Sequence, residues 1–496
     1  MAAKTRVYLA GDYGAESGRV MAGAFDGRRL ALSEIHRFPN EPVRLPDGLH
    51  WDALRLFHEL KNGARAAIRA HGRAAVSLGV DTWGVDFGLL DRSGALLGNP
   101  WHYRDRRTDG MMERALRRVS REEIYRRTGI QFMHVNTLYQ LFTMARARDP
   151  QLAAADTLLF MPDLFHYWLT GRRANEWTIA STSQCADPVR KAWSRPLLAR
   201  LGLDARLFAE IIEPGTPLGP LRPEVAAELG AAHLNVVAPA GHDTASAVIG
   251  APLAGAGDAY ISSGTWSLMG LETARPVISA ESLAANFTNE GGAFGTTRLL
   301  KNIMGLWIVQ ECRRAWKAAG TDFDYASLTA MAAKAPPFTA LVDVADPVFF
   351  PPDGMPERIA RHCRALRQKP PADPGAVVRA VLEGLALSYR ETLGRLERAA
   401  GVRIERIRII GGGSQNELLN QFTADATGRE VVAGPVEATA AGNVLMQMYA
   451  DGRIASLAEG REIVRRSFPM KTFEPRDTAA WDAAAARLAE LRENRR

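Results

Sequence analysis

Twice along this chain a short apolar strand runs into a turn of small residues and straight out into a second strand. The first instance is Val7-Tyr8-Leu9-Ala10, then Gly11-Asp12-Tyr13-Gly14-Ala15-Glu16-Ser17-Gly18, then Arg19 to Phe25. The second is Ala259-Tyr260-Ile261-Ser262, then Ser263-Gly264-Thr265, then Trp266 to Leu271. Each turn joins strand to strand, so it is a hairpin connection and not a strand-to-helix phosphate loop. A third strand follows the first hairpin at Leu30 to Phe38, after the turn Asp26-Gly27. Apolar residues Leu54, Phe57, Leu60, Ala64 and Ile68 recur at three- and four-residue steps and predict a helix over 51–70. Val76 to Val80 is the next strand, so the opening reads β-β-β-α-β. Beyond the second hairpin the pattern predicts a helix over 377–399, a strand over 406–410, a helix through Leu418, Leu419 and Phe422, a strand at Val431-Val432, and a helix from about 437 to 449. The plan is repeated although the sequence is not. It predicts two α/β domains, residues 1–248 and 249–496, with a hinge where Gly250, Pro252, Gly255 and Gly257 cluster.

Composition supports this scale of folding. The chain has 496 residues, 47% hydrophobic and 24% charged, which is a globular balance and excludes a disordered chain. Two or three cores of this size need neither disulfides nor structural metals. Cys185, Cys312 and Cys363 are far apart and odd in number, which argues against a disulfide framework or a cysteine metal site. No run of 18 apolar residues is present, so the chain is not expected to span a membrane. Met1 to Arg6 lead directly into a strand without the apolar core of a secretory signal, and the expected location is the cytoplasm. The formal charge is 62 − 55 = +7. The basic residues are scattered among acids, with only short clusters such as Arg104 to Arg107 and the terminal Arg495-Arg496. A nucleic-acid face needs clustering, so no nucleic-acid partner is expected. A positive field does suit a phosphorylated substrate. Oligomeric state is not readable.

Several segments can carry chemistry. In the first turn small residues let backbone N–H groups approach phosphate oxygens, and Ser17 adds a hydroxyl. Asp12, at the end of its strand, is placed to hold Mg²⁺, which favours one or two carboxylates plus phosphate oxygens. A plain glycine-rich turn is the competing reading. The second turn changes that balance, because two such turns can grip one polyphosphate. Gly411-Gly412-Gly413 after a buried strand offers bare backbone to a nucleotide, or merely a tight helix entry. Asp243, beside His242 at a helix start, is the candidate proton acceptor; a helix N-cap is the alternative. Trp83, Gly84, Asp86 and Phe87 set aromatic faces beside a carboxylate, as a sugar requires, or else belong to the core. Asn302 and Gln310 are expected to share one helix and similar faces.

Taken together these motifs resemble the FGGY family of carbohydrate kinases, within the actin/hexokinase-like ATPases. The resemblance runs nearly end to end. Its most specific stretches are Gly79-Val80-Asp81-Thr82-Trp83-Gly84-Val85-Asp86-Phe87, Tyr103-Arg104-Asp105, Thr128-Gly129-Ile130-Gln131-Phe132, His242-Asp243-Thr244-Ala245-Ser246, Thr288-Asn289-Glu290-Gly291-Gly292 and Gly411-Gly412-Gly413-Ser414-Gln415-Asn416. The resemblance implies two ribonuclease-H-like domains flanking a central cleft, the first mainly for sugar and the second mainly for ATP. It implies ATP-dependent phosphorylation of L-rhamnulose at its 1-hydroxyl, with another ketose such as L-fuculose or xylulose as the alternative substrate. By residue match Asp243 is the proton acceptor. Gly84, His242, Asp243 and Asn302 touch the sugar. Gly14, Ala15, Glu16, Ser17, Gly18, Thr265, Gln310 and Gly412 touch ATP, and Asp12 organises Mg²⁺. Glu16 departs from the small polar residue that related kinases carry there, and a carboxylate beside phosphates repels them unless it points away or meets the metal. A chaperone-like ATPase and a catalytically silent sugar sensor are the other classes such a fold allows.

Overall fold

The computed structural model describes residues 5–352 and 354–494; the expectations resting on Met1 to Lys4 and on Arg495-Arg496 lie outside them. The chain divides into two compact units. The first comprises Met1–Pro252, Glu272–Leu299 and Glu437–Phe468, and the second Leu253–Leu271, Leu300–Val436 and Pro469–Arg496. Two later segments, Glu272–Leu299 and Glu437–Phe468, thus belong to the first unit.

The first unit is built on a six-stranded sheet in the order Thr216–Pro220, Asn235–Ala238, Ala75–Thr82, Arg6–Tyr13, Ser17–Phe25, Leu30–Pro39. The hairpin strands are antiparallel, while Arg6–Tyr13, Ala75–Thr82 and Asn235–Ala238 run parallel. The central strand Arg6–Tyr13 is buried along nearly its whole length, which explains its continuous apolar run rather than an alternating one. Helix Ala53–His71 covers one face through Leu56, Leu60, Ala64, Ala67 and Ile68, capped by Asp52, whose carboxylate accepts from the Arg55 N–H. Leu54, read from the sequence as part of that stripe, is 63% exposed; the buried face is rotated away from it toward Ala53 and Leu56.

Helix Ala438–Ala450 packs on the same unit although it comes from the far end of the chain. Its small residues allow close contact with helix Asp243–Ile249. A Cβ at Gly442 would collide with the Ser246 carbonyl, and one at Gly250 with the Ala438 carbonyl. Polar side chains tie it to the sheet. Asn443 Nδ2 donates to Asp81 Oδ2 at 2.6 Å, Gln447 Nε2 donates to the Leu9 carbonyl at 2.8 Å, and Ser77 Oγ donates to Gln447 Oε1 at 2.6 Å. These buried bonds matter because an unmet polar group there costs about 1–3 kcal/mol.

The second unit repeats the plan. Strands Thr297–Met304, Trp266–Thr273, Asp258–Ser263, Arg406–Ile410, Glu430–Ala433 and Lys471–Phe473 follow one another in its sheet. Again a hairpin leads into parallel strands, Asp258–Ser263 beside Arg406–Ile410 beside Glu430–Ala433. Helix Pro374–Ala400, opened by the Asp373 cap and closed at Gly401, supplies the apolar face predicted for it. Strands Trp266–Thr273 and Thr297–Met304 both run past the ends of the second unit's segments, at Leu271 and Leu300. Among the described residues no helix is long and apolar enough to cross a membrane, and the three cysteines are buried and free.

Candidate active site

Sheet register creates the acidic centre of the first unit. In the parallel pair, Asp12 stands beside Asp81; in the antiparallel pair, Asp12 stands opposite Arg19. Side chains of paired residues share a face, so Arg19, Asp12 and Asp81 form a row across three strands. Arg19 donates through Nε at 3.0 Å and Nη2 at 2.7 Å to Asp12 Oδ2, and its Nη2 lies 2.5 Å from Glu437 Oε2. Burial pushes the Asp81 carboxyl well above its usual range, and the neighbouring Asp12 charge adds to this against the Asn443 hydrogen bond. Burial likewise raises Asp243; His242 opposes the shift and Asp12 reinforces it.

The Asp12 charge thus raises both Asp81 and Asp243, while Arg19 is paired with Asp12. Asp81 Oδ1 is buried without a hydrogen-bond partner among the described residues. A divalent cation would relieve both conditions. No group of three His, Cys, Asp or Glu side chains is arranged as a metal cage among the described residues. The Asp12 and Asp81 carboxylates are the kind of donor Mg²⁺ takes, an ion held by one or two carboxylates and otherwise by water and phosphate oxygens.

The segment Gly241-His242-Asp243 is fastened from two sides. The Thr82 N–H donates to the Gly241 carbonyl at 2.9 Å, extending the strand pairing of Ala75–Thr82. Glu176 accepts the Gly241 N–H at 2.8 Å, and Thr178 Oγ1 accepts the His242 N–H at 3.2 Å. Glu176 is fully buried and also caps helix Trp177–Ser181; burial raises its carboxyl to about 7 despite these hydrogen bonds. Asp243 occupies the first helical position, with His242 as the cap residue, so the N-cap alternative does not hold. Its Oδ1 accepts the Thr244 N–H at 2.6 Å, and its side chain keeps 29% exposure. The carboxylate is anchored at one oxygen and open at the other. Gly84 lies alongside: a Cβ there would stand 3.4 Å from His242 Nε2. The first unit therefore brings Asp12, Gly84, His242 and Asp243 to one end of its parallel strands, joined by Asp81, which the sequence did not single out.

Trp83 and Phe87 are buried. Asp86 is buried too, accepting from Trp51 Nε1 at 2.6 Å, Trp83 Nε1 at 3.0 Å, the Tyr103 N–H at 3.2 Å and Gln140 Nε2 at 2.9 Å. Burial outweighs those donors and leaves its carboxyl at about 6. This cluster is a structural node, the core alternative of the two readings.

Turn 14–18 is held by Asn40, whose N–H donates to the Glu16 carbonyl at 2.9 Å and whose Nδ2 donates to the Gly14 carbonyl at 2.8 Å. Nothing local in the sequence flags Asn40, which lies 22 residues beyond Gly18. Gly14, Ala15 and Ser17 are half-buried, Gly18 is buried, and Glu16 is exposed.

In the second unit three segments meet. Gly411 (φ 82°) and Gly413 pack against Ser263, leaving no room for side chains. The Leu306 and Trp307 N–H groups donate to the Gly264 and Thr265 carbonyls at 3.0 and 3.1 Å. Thr265, the start of helix Trp307–Ala318 and the Gly412–Gln415 turn are thereby connected through the second hairpin. Gln310 Oε1 and Ser263 Oγ are buried without hydrogen-bond partners among the described residues, while Gly412 has open space beside it. A polar ligand would satisfy such atoms. Asn302 corrects the expectation of a shared helix: it lies in strand Thr297–Met304, and only Gln310 lies in the helix that begins at Trp307. Gly305 separates the two elements, and the apolar run across it hid the change of period.

The model for the N-terminal domain of the FGGY family of carbohydrate kinases matches residues 7–250, and that for the C-terminal domain matches 259–450. A rhamnulokinase of Bacteroides thetaiotaomicron is 45% identical over 96% of this chain and 97% of its own. One from Bacillus subtilis is 40% identical over 95% and 96%. Among solved structures, xylulose kinase from Lactobacillus acidophilus aligns with TM-score 0.82 at 14% identity over 99% of this chain and 98% of its own. Plasmodium falciparum glycerol kinase with ADP aligns at 0.79 and 16% over the same shares. At such identity these structures speak for the fold, that of the actin/hexokinase-like ATPases. With both domain models matched in order and relatives above 40% identity along nearly the whole chain, this protein belongs to the FGGY family of carbohydrate kinases.

Proposed function

We propose that this kinase transfers the γ-phosphoryl group of ATP to the 1-hydroxyl of L-rhamnulose. The observation that carries the reading is the likeness, at 40–45% identity over about 95% of the chain, to relatives named rhamnulokinase. The Asp243 carboxylate, raised in pKa and open on one side, supports it as the base. In this reading Asp243 accepts the proton of the sugar hydroxyl as the oxygen bonds to the γ-phosphorus and the bond to the β–γ bridging oxygen breaks, releasing ADP. Gly84 leaves room for the sugar beside His242, and Asn302 is a further polar residue proposed to touch the sugar. Turn 14–18, Thr265, Gln310 and Gly412 bind ATP, with the first unit serving mainly the sugar and the second mainly the nucleotide. Exposed Glu16 contributes its backbone rather than its carboxylate.

Asp12 would organise Mg²⁺, directly or through water, with Asp81 behind it. When bound, the ion neutralises charge on the phosphate oxygens. Arg19 holds Asp12 by the Nε and Nη2 pair and fixes its orientation.

A coupled ADP-release assay over L-rhamnulose, L-fuculose and xylulose should give the highest kcat/KM with L-rhamnulose. A larger value for another ketose would replace that substrate, and ATP hydrolysis indifferent to every sugar would overturn the kinase reading. Asp12→Asn should raise the half-saturating Mg²⁺ concentration about tenfold or more. An unchanged Mg²⁺ titration would remove Asp12 from the metal role.

A further inference from the structure

Behind His242, on the side away from Asp243, lies a buried ion pair that the proposed reaction does not use. Arg298 has no exposed surface and Glu290 is almost completely buried. Their charges meet at 3.1 Å between Nη2 and Oε2. Burial of two charges is costly, and here Arg298 Nη1 and Glu290 Oε2 find no hydrogen-bond partner among the described residues. Arg298 Nε donates to the Gly291 carbonyl at 2.9 Å, fixing the guanidinium plane, and Thr288 Oγ1 donates to Glu290 Oε1 at 3.4 Å. Burial alone would raise the Glu290 carboxyl, but Arg298 and then His242 outweigh it and hold it below its usual range.

Both members reach the same imidazole nitrogen. Arg298 Nη2 and Glu290 Oε2 each lie 3.2 Å from His242 Nδ1. The two contacts impose opposite demands. A guanidinium has donors only and keeps them at every physiological pH, so it requires a lone pair on Nδ1. A carboxylate requires an Nδ1–H. The geometry discriminates between them. The Arg298 contact satisfies hydrogen-bond angles, whereas Glu290 Oε2 has no partner within hydrogen-bond geometry. With a lone pair at Nδ1, a neutral imidazole must carry its proton on Nε2. That nitrogen stands 3.4 Å from Asp243 Oδ1, next to Gly84.

We infer that Arg298, neutralised by Glu290, is a positioning residue that locks His242 in the Nε2–H tautomer, so that His242 presents its one donor, Nε2–H, to a sugar oxygen beside the Asp243 carboxylate. The consequence for the base is direct. An N–H dipole 3.4 Å from Asp243 Oδ1 favours the ionised form, the one that accepts a proton, through its field rather than through a hydrogen bond. Glu290 keeps the guanidinium from being an uncompensated charge and shares in holding the ring plane. The sugar half of this inference rests on the proposed kinase activity; the tautomer does not.

The decisive measurement is a long-range ¹H–¹⁵N correlation spectrum of ¹⁵N-histidine-labelled full-length protein without ligands, with His242→Gln identifying the resonance. Read at a pH where the ring is neutral, the expected result is an unprotonated Nδ1 and a protonated Nε2. A neutral ring with its proton on Nδ1 overturns the inference whatever the enzyme's substrate proves to be. Arg298→Met should release Nδ1 to Glu290 and invert the tautomer, with kcat/KM for the sugar falling at least about tenfold and KM for ATP unchanged. Arg298→Lys, which keeps a donor, should restore part of that loss. A folded Arg298→Met variant with the original tautomer sinks the assignment of Arg298. If Arg298→Met does not fold, the wild-type spectrum alone decides.

Discussion

Asp243→Asn should lower kcat by about 10² to 10⁴, with KM for ATP nearly unchanged. The amide keeps the shape and its carbonyl oxygen can still accept the Thr244 N–H, now 2.6 Å from Oδ1, so the helix start survives while the proton acceptor is lost. The pH profile makes the test sharper. A base works deprotonated, and burial raises the Asp243 carboxyl above its usual 3.8. Activity should therefore fall as pH drops through a value above 3.8, and that acidic limb should vanish from the residual rate of the Asn variant. A near-wild-type kcat would remove Asp243 from the reaction. A retained acidic limb would transfer the titration to another group, with Asp81 and Glu176 next in line because burial raises both.

Gly442→Val should destabilise the protein by about 3 kcal/mol, through overpacking of backbone that cannot move aside. The position lies where helices Asp243–Ile249 and Ala438–Ala450 touch, and any Cβ would collide with the Ser246 carbonyl. Because the first of these helices begins at Asp243, activity should decline together with stability in the folded fraction. The comparison is Gly255→Ala, a glycine with ordinary φ and open surroundings, which should stay within about 0.5 kcal/mol of the parent. The denaturation midpoint of both variants in urea measures the difference. An unchanged midpoint for Gly442→Val would mean the two helices are not in backbone contact.

The readable parts of this chain were those governed by local periodicity or local turn chemistry. The three opening strands, the helix now seen at Pro374–Ala400 and the strand Arg406–Ile410 follow from apolar spacing and from glycine and proline punctuation. Asp243 and the two hairpin turns stood out because small residues and carboxylates at strand ends are rare without a use. What failed was equally local. Leu54 has the right spacing but the wrong side of a helix whose buried face includes Gly63 and several alanines, so size was a poor guide to burial. Asn302 was misassigned because an apolar stretch of that length suits a strand or a helix until Gly305 is known to divide it.

The residues that make the site chemically particular could not be found this way. Asp81 matters because a parallel register sets it beside Asp12, 69 positions earlier. Glu176 matters because it accepts the Gly241 N–H 65 residues away, and Asn443 because it donates to Asp81 across 362 residues. Arg298 is simply a strand arginine until it is found buried against His242. Sequence alone thus determined the repeated strand–hairpin–strand plan, the carbohydrate-kinase family and the candidate base, because these depend on short-range pattern. Tertiary structure alone decided which charges share a face, which nitrogen of His242 meets an arginine and which carboxylate rises in pKa. Those outcomes depend on burial and on distances of a few ångströms between residues that the chain keeps far apart.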